Sequence, residues 1–239
     1  VFSSIQGEGP YTGVRQVFIR LAGCNLACRY CDTDAEGGSY FQVEFQTGSG
    51  IFERFDNPAT PEQVARLTER FDLRKHHSIS FTGGEPLLNA GFIGELVPLL
   101  RNPSIKMFLE TNGTLPSDLA KTINCFDIIS MDFKLPSSAS GKDLWDIHTE
   151  FLKIAAIKEV IVKAVVSSKT GEEEIAKACE IIKSINPHIP LILQPVTGEK
   201  GSAGQVFPLA RLISLQETAM EIIGDVRIVP QLHTYLGLL

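Results

Sequence analysis

The chain of 239 residues is 44% hydrophobic and 21% charged, a balance that supplies enough apolar side chains for one sizeable core. A formal net charge of −6 and a pI of about 5.4 imply no basic face, so nucleic acid is disfavoured as a direct partner. No apolar run approaches the roughly 20 residues that cross a bilayer, and no signal peptide is visible, so we expect no membrane partner.

Short β-branched runs alternate with helical patterns along most of the chain. Continuous apolar runs of this kind are typical of strands that are buried on both faces. Segments 60–71 and 171–185 have a helical apolar period, and each begins with residues typical of a helix start. The predicted strands are 16–22, 78–82, 105–110, 127–132, 160–166 and 190–195, with 226–232 as a seventh candidate.

About six βα units predict a parallel sheet with right-handed crossovers. Six units are too few to close an eight-unit barrel, so we predict an α/β protein built as an open, partial (β/α)6 barrel of TIM-like type. A doubly wound sheet is the alternative, and in both folds ligands lie beyond the carboxyl ends of the strands. Residues 34–59 interrupt the alternation, and we interpret them as an inserted loop or hairpin within a single domain over 1–239.

Three cysteines follow the first predicted strand, in LAGCNLACRYCDT at 21–33. Cys24, Cys28 and Cys31 have the spacing C-x3-C-x2-C, so one short loop can bring three thiolates together. A structural zinc site needs four protein ligands, and a disulfide would leave the third thiol unpaired. An iron–sulfur cube bound by three cysteines keeps one iron open for a small molecule. A cluster is therefore the favoured interpretation, and zinc is the alternative.

The other two cysteines, Cys125 and Cys179, are interpreted as small buried apolar residues. An odd cysteine count with a clustered spacing is more typical of a reducing compartment than of a disulfide framework. We therefore expect a cytoplasmic protein.

Polar segments also end the later strands. Gly83 and Gly84 in SFTGGEP, at 80–86, let the backbone approach a ligand closely, although a simple turn is the alternative. The segments that end the later strands are LETNGT at 109–114, SMDFK at 130–134 and QPVTG at 194–198. An Asn-Gly turn is the structural alternative for LETNGT, and a solvated lysine is the alternative for SMDFK.

The three-cysteine loop after the first strand of a βα repeat resembles the radical S-adenosylmethionine superfamily. The resemblance implies a 4Fe–4S cluster held by Cys24, Cys28 and Cys31 as the catalytic centre, with S-adenosylmethionine chelating the open iron. It also implies that one electron cleaves a carbon–sulfur bond of this cofactor, giving a 5′-deoxyadenosyl radical that abstracts hydrogen from substrate. The implied S-adenosylmethionine contacts are Gly84, Glu85, Glu110, Ser130, Asp132, Lys134 and Gln194.

The N-terminal stretch FSSIQGEGPYTGVRQVFIRLAGCNLACRYCDT is similar to the 7-carboxy-7-deazaguanine synthase family, as is the ending QLHTYLGLL. The resemblance implies ring contraction of 6-carboxy-5,6,7,8-tetrahydropterin to 7-carboxy-7-deazaguanine and ammonia, a step toward queuosine and other 7-deazapurines. It implies that the free pterin is bound and that tRNA is not. Residues 34–59 and 135–160 resemble the family only loosely.

The same resemblance assigns residues to Mg2+ and to the substrate. Thr33 is implied as a magnesium ligand, with a helix N-cap as the alternative. Arg20 suits the substrate carboxylate because a guanidinium binds carboxylates through two parallel hydrogen bonds, although a structural ion pair is its alternative. The implied substrate contacts are Ile5, Gln6, Gly7, Glu8, Arg20, Thr82, His233 and the terminal carboxylate of Leu239.

Some features depart from this family. Many relatives carry Ser-Pro-Lys where this chain reads MDFK, which leaves the contacts at 131–133 open. SMDFK is also similar to activating enzymes of glycyl-radical proteins, which are the alternative function, and a non-catalytic iron–sulfur or zinc protein is a further alternative. IQGEG and CDT favour the synthase. Its relatives imply a homodimer and an electron donor such as a flavodoxin.

Overall fold

The computed structural model describes residues 1–31, 33, 35–139, 141, 143–196, 207–232 and 236–237. The strands are β1 (Phe2–Ile5), β2 (Arg15–Leu21), β3 (Tyr40–Glu44), β4 (Phe52–Asp56), β5 (Ser78–Gly83), β6 (Lys106–Thr111), β7 (Ile128–Phe133), β8 (Glu159–Val166), β9 (Leu191–Pro195) and β10 (Val226–Ile228). The α-helices are α1 (Pro61–Thr68), α2 (Ala90–Leu100), α3 (Pro116–Thr122), α4 (Trp145–Ala155), α5 (Glu172–Ile185) and α6 (Leu209–Met220).

Eight strands form one sheet in the order β1-β2-β5-β6-β7-β8-β9-β10. β1 pairs antiparallel with β2, and every later pair in this sheet is parallel. A helix precedes each parallel strand from β5 onward, which gives six βα units from β2 to α6. The order always advances in one direction and never reverses, as it would in a doubly wound sheet. This topology confirms the open, partial barrel.

The sheet is buried on both faces, which explains why its strands are continuous apolar runs. The main core lies between the sheet and the helices and includes Ile79, Met107, Val162 and Leu193. A separate apolar cluster covers the opposite face of the central strands. Its buried members are Phe108, Ile128, Ile161 and Ile192. This second cluster fills the inside of the partial barrel below the carboxyl ends of the strands.

The local signals at two helices also act as predicted. The Thr60 hydroxyl caps α1 by accepting a hydrogen bond from the Gln63 N–H at 3.2 Å, and Pro61 occupies the first helical position. In α5 the predicted apolar stripe, including Ile175 and Cys179, is buried against the core. Among the described residues, the helices are all too short or too polar to cross a membrane.

The segment 34–59 contains a hairpin in which β3 and β4 pair antiparallel. This hairpin is fastened to β1, because the Glu44 N–H donates to the Val1 carbonyl at 2.8 Å and the Ser3 N–H donates to the Glu44 carboxylate at 3.0 Å. Sequence reasoning did not predict β1. The strand delivers residues 5–8 to the edge of the sheet where the other motifs lie.

Candidate active site

A cavity of about 530 Å³ opens beyond the carboxyl ends of the parallel strands. Six parallel strands, β2 and β5–β9, each contribute a polar side chain to its wall. These side chains are Arg20, Thr82, Glu110, Ser130, Lys163 and Gln194. On β6–β9 each polar residue stands two positions beyond a member of the inner apolar cluster, because alternate residues of a strand share a face. Lys163 is the one member of this set that sequence reasoning missed.

The three clustered cysteines line this cavity. Cys24 and Cys31 are exposed, whereas Cys28 is half-buried and its pKa is raised by burial. All five cysteines of the chain are free thiols. Among the described residues, no three Cys, His, Asp or Glu side chains lie close enough to share one metal ion. Three thiols that line one cavity without converging on a single point suit a 4Fe–4S cube, in which each thiolate binds a different iron, better than they suit one metal ion.

The predicted glycine pair brings this loop against β5. A Cβ atom on Gly83 would lie 2.1 Å from the Leu21 carbonyl oxygen, and one on Gly84 would lie 2.0 Å from the Gly23 carbonyl oxygen. Gly83 also has a φ of +123°, which L side chains rarely adopt. These positions require glycine because the chain that leads into Cys24 passes directly over them.

Glu85 was predicted to contact S-adenosylmethionine, which stays a prediction, and its side chain lies behind the cavity wall. Its side chain is fully buried and is not among the residues that line the cavity. Its carboxylate accepts hydrogen bonds from the Thr111 hydroxyl at 2.9 Å, the Asn112 N–H at 2.7 Å and the Leu87 N–H at 3.1 Å. Burial raises the pKa of this carboxyl. The carboxylate therefore joins β5 to the end of β6 behind the cavity wall.

Asn25, directly after Cys24, fixes the other side of the cysteine loop. Its side-chain oxygen accepts a hydrogen bond from the Asn112 amide at 2.9 Å, and its own amide donates to the Thr114 hydroxyl at 2.8 Å. The Thr114 hydroxyl donates in turn to the Asn112 side-chain oxygen at 2.5 Å. This closed ring of hydrogen bonds connects the cysteine loop to the end of β6. Sequence reasoning missed Asn25.

Four alternating charges cross the cavity wall. The Lys134 ammonium donates to Asp132 at 2.8 Å, and the Lys163 ammonium lies 3.3 Å from the same carboxylate oxygen. Lys163 also donates to Glu8. Burial lowers the pKa of both lysines, but the neighbouring carboxylates outweigh it and raise both pKa values above the ordinary range. The two lysines therefore stay charged where they are enclosed.

Tyr30 in the cysteine loop extends this chain of contacts. Lys134 donates to the Tyr30 hydroxyl at 3.3 Å, and its ammonium lies 5.2 Å from the centre of the Tyr30 ring. Burial raises the pKa of this phenol, and the charge of Asp132 adds to the shift. Lys134 thus connects the end of β7 to the segment between Cys28 and Cys31. Tyr30 was also missed by sequence reasoning.

Glu110 lies among the predicted substrate residues, although it was predicted to contact S-adenosylmethionine. Its carboxylate accepts hydrogen bonds from the Gln6 amide at 2.7 Å and from the Thr82 hydroxyl at 2.7 Å. Gln6 is also held by Gln16, whose side-chain oxygen accepts at 3.0 Å. The structure therefore brings together the N-terminal loop, residues 5–9, and the ends of β5 and β6 around the Glu110 carboxylate.

Arg20 is exposed in the cavity, and its guanidinium lies 5.1 Å from the centre of the Phe2 ring. The ion pairs found among the described residues leave this guanidinium without a carboxylate partner. Ile5 and Gly7 of the N-terminal loop also line the cavity. An arginine placed in this way can take the carboxylate of a ligand.

Two acceptor atoms in the wall fit a nucleoside cofactor. Asp132 Oδ1 and Gln194 Oε1 are buried and have no hydrogen-bond partner among the described residues. A buried acceptor without a donor costs free energy, so each is suited to a ligand that supplies a hydroxyl or amino donor. Ser130 lines the same wall. These atoms and the three thiols form a donor set that suits an iron–sulfur cluster with an adenosine compound beside it.

Thr33 is half-buried and lines the cavity close to the last cysteine, since the Cys31 thiol donates to the Thr33 carbonyl at 3.4 Å. Gln231 enters the cavity wall from the C-terminal segment and was not predicted. Two predicted substrate contacts, His233 and Leu239, lie outside the described residues, as does Asp32.

Comparison with known proteins identifies the class of enzyme to which this site belongs. A family model described as the radical SAM superfamily matches residues 18–186, which is well over half of the chain. This range contains the cysteine loop and most of the strand ends that form the cavity. The chain belongs to the radical SAM superfamily.

Curated relatives place it more closely. A 7-carboxy-7-deazaguanine synthase of Geobacter sulfurreducens is 44% identical over 241 residues, which cover 99% of this chain and 95% of the relative. A second, from Archaeoglobus fulgidus, is 33% identical over 99% of this chain and 96% of the relative. The chain is therefore a member of the 7-carboxy-7-deazaguanine synthase family, as the N-terminal motifs predicted.

Solved structures support the fold alone. Streptococcus suis SuiB bound to precursor peptide SuiA has a TM-score of 0.60 at 18% identity, and a radical SAM methyltransferase from Sphaerobacter thermophilus has a TM-score of 0.60 at 13% identity. They are matched over 89% and 93% of this chain. The matched region is 48% of the SuiB chain and 67% of the methyltransferase chain, so this chain spans about half the length of SuiB.

Membership of this family decides between the interpretations of the cysteine loop. Radical SAM enzymes use a 4Fe–4S cluster and S-adenosylmethionine, so the cluster interpretation is confirmed and zinc is excluded. The family also excludes a non-catalytic protein and the activating enzymes of glycyl-radical proteins. The protein is therefore an enzyme that uses a 4Fe–4S cluster and S-adenosylmethionine.

Proposed function

We propose that the protein converts 6-carboxy-5,6,7,8-tetrahydropterin to 7-carboxy-7-deazaguanine with loss of ammonia, in the synthesis of queuosine and other 7-deazapurines. The observation that carries this proposal is the 44% identity to a 7-carboxy-7-deazaguanine synthase over nearly the full length of both chains. The cavity supports it, because thiols, two buried acceptor atoms and an exposed guanidinium line one space of suitable size for the cofactor and a bicyclic substrate.

Cys24, Cys28 and Cys31 would hold the cluster and leave one iron open, while Asp132 and Gln194 would accept hydrogen bonds from S-adenosylmethionine. The bound cofactors supply the one-electron chemistry that removes a hydrogen atom from the substrate. The Lys134 contact with Tyr30 holds the cysteine loop against the end of β7 during this reaction.

Arg20 would bind the substrate carboxylate through two parallel hydrogen bonds. The guanidine-like edge of the pterin offers N–H donors, and the Glu110 carboxylate is placed to accept them beside Gln6 and Thr82. Charge-assisted hydrogen bonds of this type orient a planar ligand as well as binding it. The two ends of the substrate would therefore be held by groups of opposite charge.

Mg2+ and Thr33 form part of the same proposal. Mg2+ prefers oxygen ligands and shares few protein groups, so one hydroxyl with substrate oxygens and waters suits it. We predict that Thr33→Ala lowers kcat for the pterin by about tenfold or more while S-adenosylmethionine binding stays nearly normal. Turnover at graded Mg2+ concentrations checks this, and equal Mg2+ dependence in both proteins would refute the assignment.

We further propose a single domain over residues 1–239, a homodimer, a cytoplasmic location and an electron donor such as a flavodoxin. Membership of the radical SAM superfamily supports the electron donor, because S-adenosylmethionine is cleaved by one electron, and the match over nearly the full length of two relatives supports the single domain. Light scattering of the purified protein tests the oligomeric state, and reduction of the cluster by a purified flavodoxin tests the donor.

The reaction itself is tested with anaerobically reconstituted protein, S-adenosylmethionine, Mg2+ and a chemical reductant. We expect one 7-carboxy-7-deazaguanine and one ammonia for each pterin consumed, measured by mass spectrometry and an ammonia assay. The matched control lacks all three cysteines of the loop, Cys24, Cys28 and Cys31, and should give neither product. Protein that holds a cluster and binds S-adenosylmethionine but leaves the pterin unchanged would overturn the proposal.

A further inference from the structure

Lys163 is the single charged residue in an otherwise apolar strand segment, VIVKAVV at 160–166. Its side chain points into the cavity, and only 14% of it is exposed. A buried ammonium is costly unless it is paired and hydrogen-bonded. A residue of this kind in the middle of a buried strand therefore needs partners that recover the lost hydration.

The partners of Lys163 come from two different parts of the cavity. Its ammonium donates to the Glu8 carboxylate, which belongs to the N-terminal loop. The same ammonium lies 3.3 Å from Asp132 Oδ2 at the end of β7. Glu8 and Asp132 are themselves largely enclosed, with 22% and 11% of their side chains exposed. Screening by water is correspondingly weak at both contacts.

Glu8 links Lys163 to the C-terminal segment. Its other carboxylate oxygen accepts hydrogen bonds from the Gln194 amide at 3.0 Å and from the Gln231 amide at 2.9 Å. The neighbouring Gly7 carbonyl accepts from the Leu232 N–H at 2.8 Å. The loop that contains the predicted substrate contacts is thus fixed from β8, from β9 and from the C-terminal segment.

Asp132 links Lys163 to the side of the cavity that is proposed to bind S-adenosylmethionine. One oxygen binds both ammonium groups, Lys134 at 2.8 Å and Lys163 at 3.3 Å. The other oxygen, Oδ1, is buried and accepts no hydrogen bond within the part of the chain that the structure describes. The two lysines together therefore hold Oδ2 and fix the direction in which Oδ1 points.

We propose that Lys163 is a positioning residue that holds Glu8 and Asp132 at the same time. It thereby joins the N-terminal loop, residues 5–9, to the S-adenosylmethionine side of the cavity. The identity of the substrate in this proposal rests on the proposed function. The role of Lys163 is to place groups that contact ligands, and its ammonium takes no part in a covalent step.

The two contacts predict unequal effects when the ammonium is removed. Lys163→Met keeps the length of the side chain and loses the charge. Asp132 retains Lys134, so S-adenosylmethionine affinity should fall by about threefold or less. Glu8 loses an ammonium partner inside an enclosed site, so the loop should shift and KM for the pterin should rise about tenfold or more. The value of kcat should change less than KM.

The experiment compares K163M, K163R, E8Q and the double variant K163M/E8Q with the parent enzyme, all with reconstituted cluster. K153M is the matched control, because Lys153 is an exposed lysine of the neighbouring helix α4. KM and kcat for the pterin, S-adenosylmethionine affinity by equilibrium dialysis, and hydrogen–deuterium exchange of residues 5–9 are measured. K163R keeps a charge at this position and should retain most of the affinity if K163M folds poorly.

We expect faster exchange of residues 5–9 and a raised KM in K163M, with neither change in K153M. The neutral amide that E8Q places in the loop does not need the ammonium, so K163M/E8Q should resemble E8Q within about twofold. Additive effects of the two substitutions, or an unchanged KM in a folded K163M, would overturn the proposal. If the parent enzyme leaves the pterin unchanged, the proposed function fails, whereas the exchange and dialysis data still decide the role of Lys163.

Discussion

Cys28 is the most enclosed thiol of the cysteine loop, and its neighbours include Lys134 and Asp132. Its thiol therefore lies between the cysteine loop and the charged wall of the cavity. We predict that Cys28→Ala prevents cluster assembly, because three thiols are the minimum that hold a cube with one open iron. Iron and sulfide content after anaerobic reconstitution, together with pterin turnover, checks this.

The matched control is Cys125→Ala, which removes a thiol that is partly buried away from the cavity. It should retain the cluster and activity and should cost only about 1 kcal/mol of unfolding free energy. A reconstituted C28A protein with full activity would contradict the cluster assignment.

At the scale of residues, some members of the cavity wall could be predicted from the sequence, and others depend on the fold. Lys134 was predicted because it follows a strand in a short polar motif, and parallel strands bring such ends to one edge. Arg20 was predicted from the family resemblance. Lys163 was missed because it stands alone among apolar residues, and only the barrel geometry turns it toward the cavity. Its isolated charge in VIVKAVV was the available signal. The direction of Glu85 depends on the tight Gly83–Gly84 turn, which sequence alone does not specify.

At the scale of elements, the close contact between β5 and the cysteine loop gives a steric prediction. A Cβ atom on Gly84 would lie 2.0 Å from the Gly23 carbonyl oxygen and 2.9 Å from the Ala35 Cβ atom. Gly84→Ala should therefore displace the loop, at a cost of about 1–3 kcal/mol, and lower the iron content after reconstitution. Chemical unfolding and iron analysis measure the two effects.

Gly94→Ala is the control for this prediction. Gly94 lies inside α2, where an added Cβ atom would meet nothing within 4 Å. Alanine should stabilise the helix there by about 0.5–1 kcal/mol and leave the cluster unchanged. Equal iron content in G84A and G94A would show that the β5 contact does not position the cysteine loop.

Helix α4 contributes a titratable group directly behind the site. His148 is 1% exposed, stacks on Phe133 with ring centroids 4.9 Å apart, and donates from Nε2 to the Asn112 carbonyl at 3.2 Å. Burial lowers its pKa to about 4. The unfolded chain therefore binds this proton more readily than the folded one, since an ordinary histidine has a pKa of about 6.5. The stability due to neutral His148 is complete above about pH 6.5 and is lost as pH falls toward 4.

We predict that the parent protein loses about 2 kcal/mol from this residue between about pH 7.5 and about pH 5. His148→Phe keeps a ring against Phe133 and cannot titrate, so its stability should fall less over the same interval. Urea unfolding at each pH measures both curves, and the difference isolates the histidine from the carboxylates. Parallel curves would show that His148 is not the group that senses the pH.

The elements themselves were largely predictable. The main strands and helices α1 and α5 follow from apolar periodicity and helix-start residues, which act over a few neighbouring positions. The strand β1 is different, because its four residues pair with β2 and contact the hairpin through Glu44. Such pairing is non-local, and the run FSSI alone does not distinguish a strand from a loop.

At the scale of the molecule, the barrel is open, and contacts between the two end regions of the chain complete the N-terminal loop. The described part of the sheet ends at β1 on one side and at β10 on the other. Contacts between the chain's two end regions lie across the cavity: the Gln231 amide donates to Glu8 at 2.9 Å, and the Leu232 N–H donates to Gly7 at 2.8 Å. The N-terminal loop is therefore completed by the C-terminal segment. The family's tail motif predicted the importance of this segment, but its contact with Glu8 required the fold.

This arrangement predicts that Gln231→Ala weakens substrate use without a large loss of stability. The substitution removes one hydrogen bond to Glu8, so residues 5–9 should exchange hydrogen faster and KM for the pterin should rise about threefold to tenfold. Gln216→Ala is the control, because the Gln216 amide donates to the Val226 carbonyl at 2.9 Å on α6, remote from the cavity. Both variants should lose about 1 kcal/mol of unfolding free energy, but only Q231A should change KM. If the two variants have the same KM, the C-terminal segment closes the fold without positioning the substrate loop.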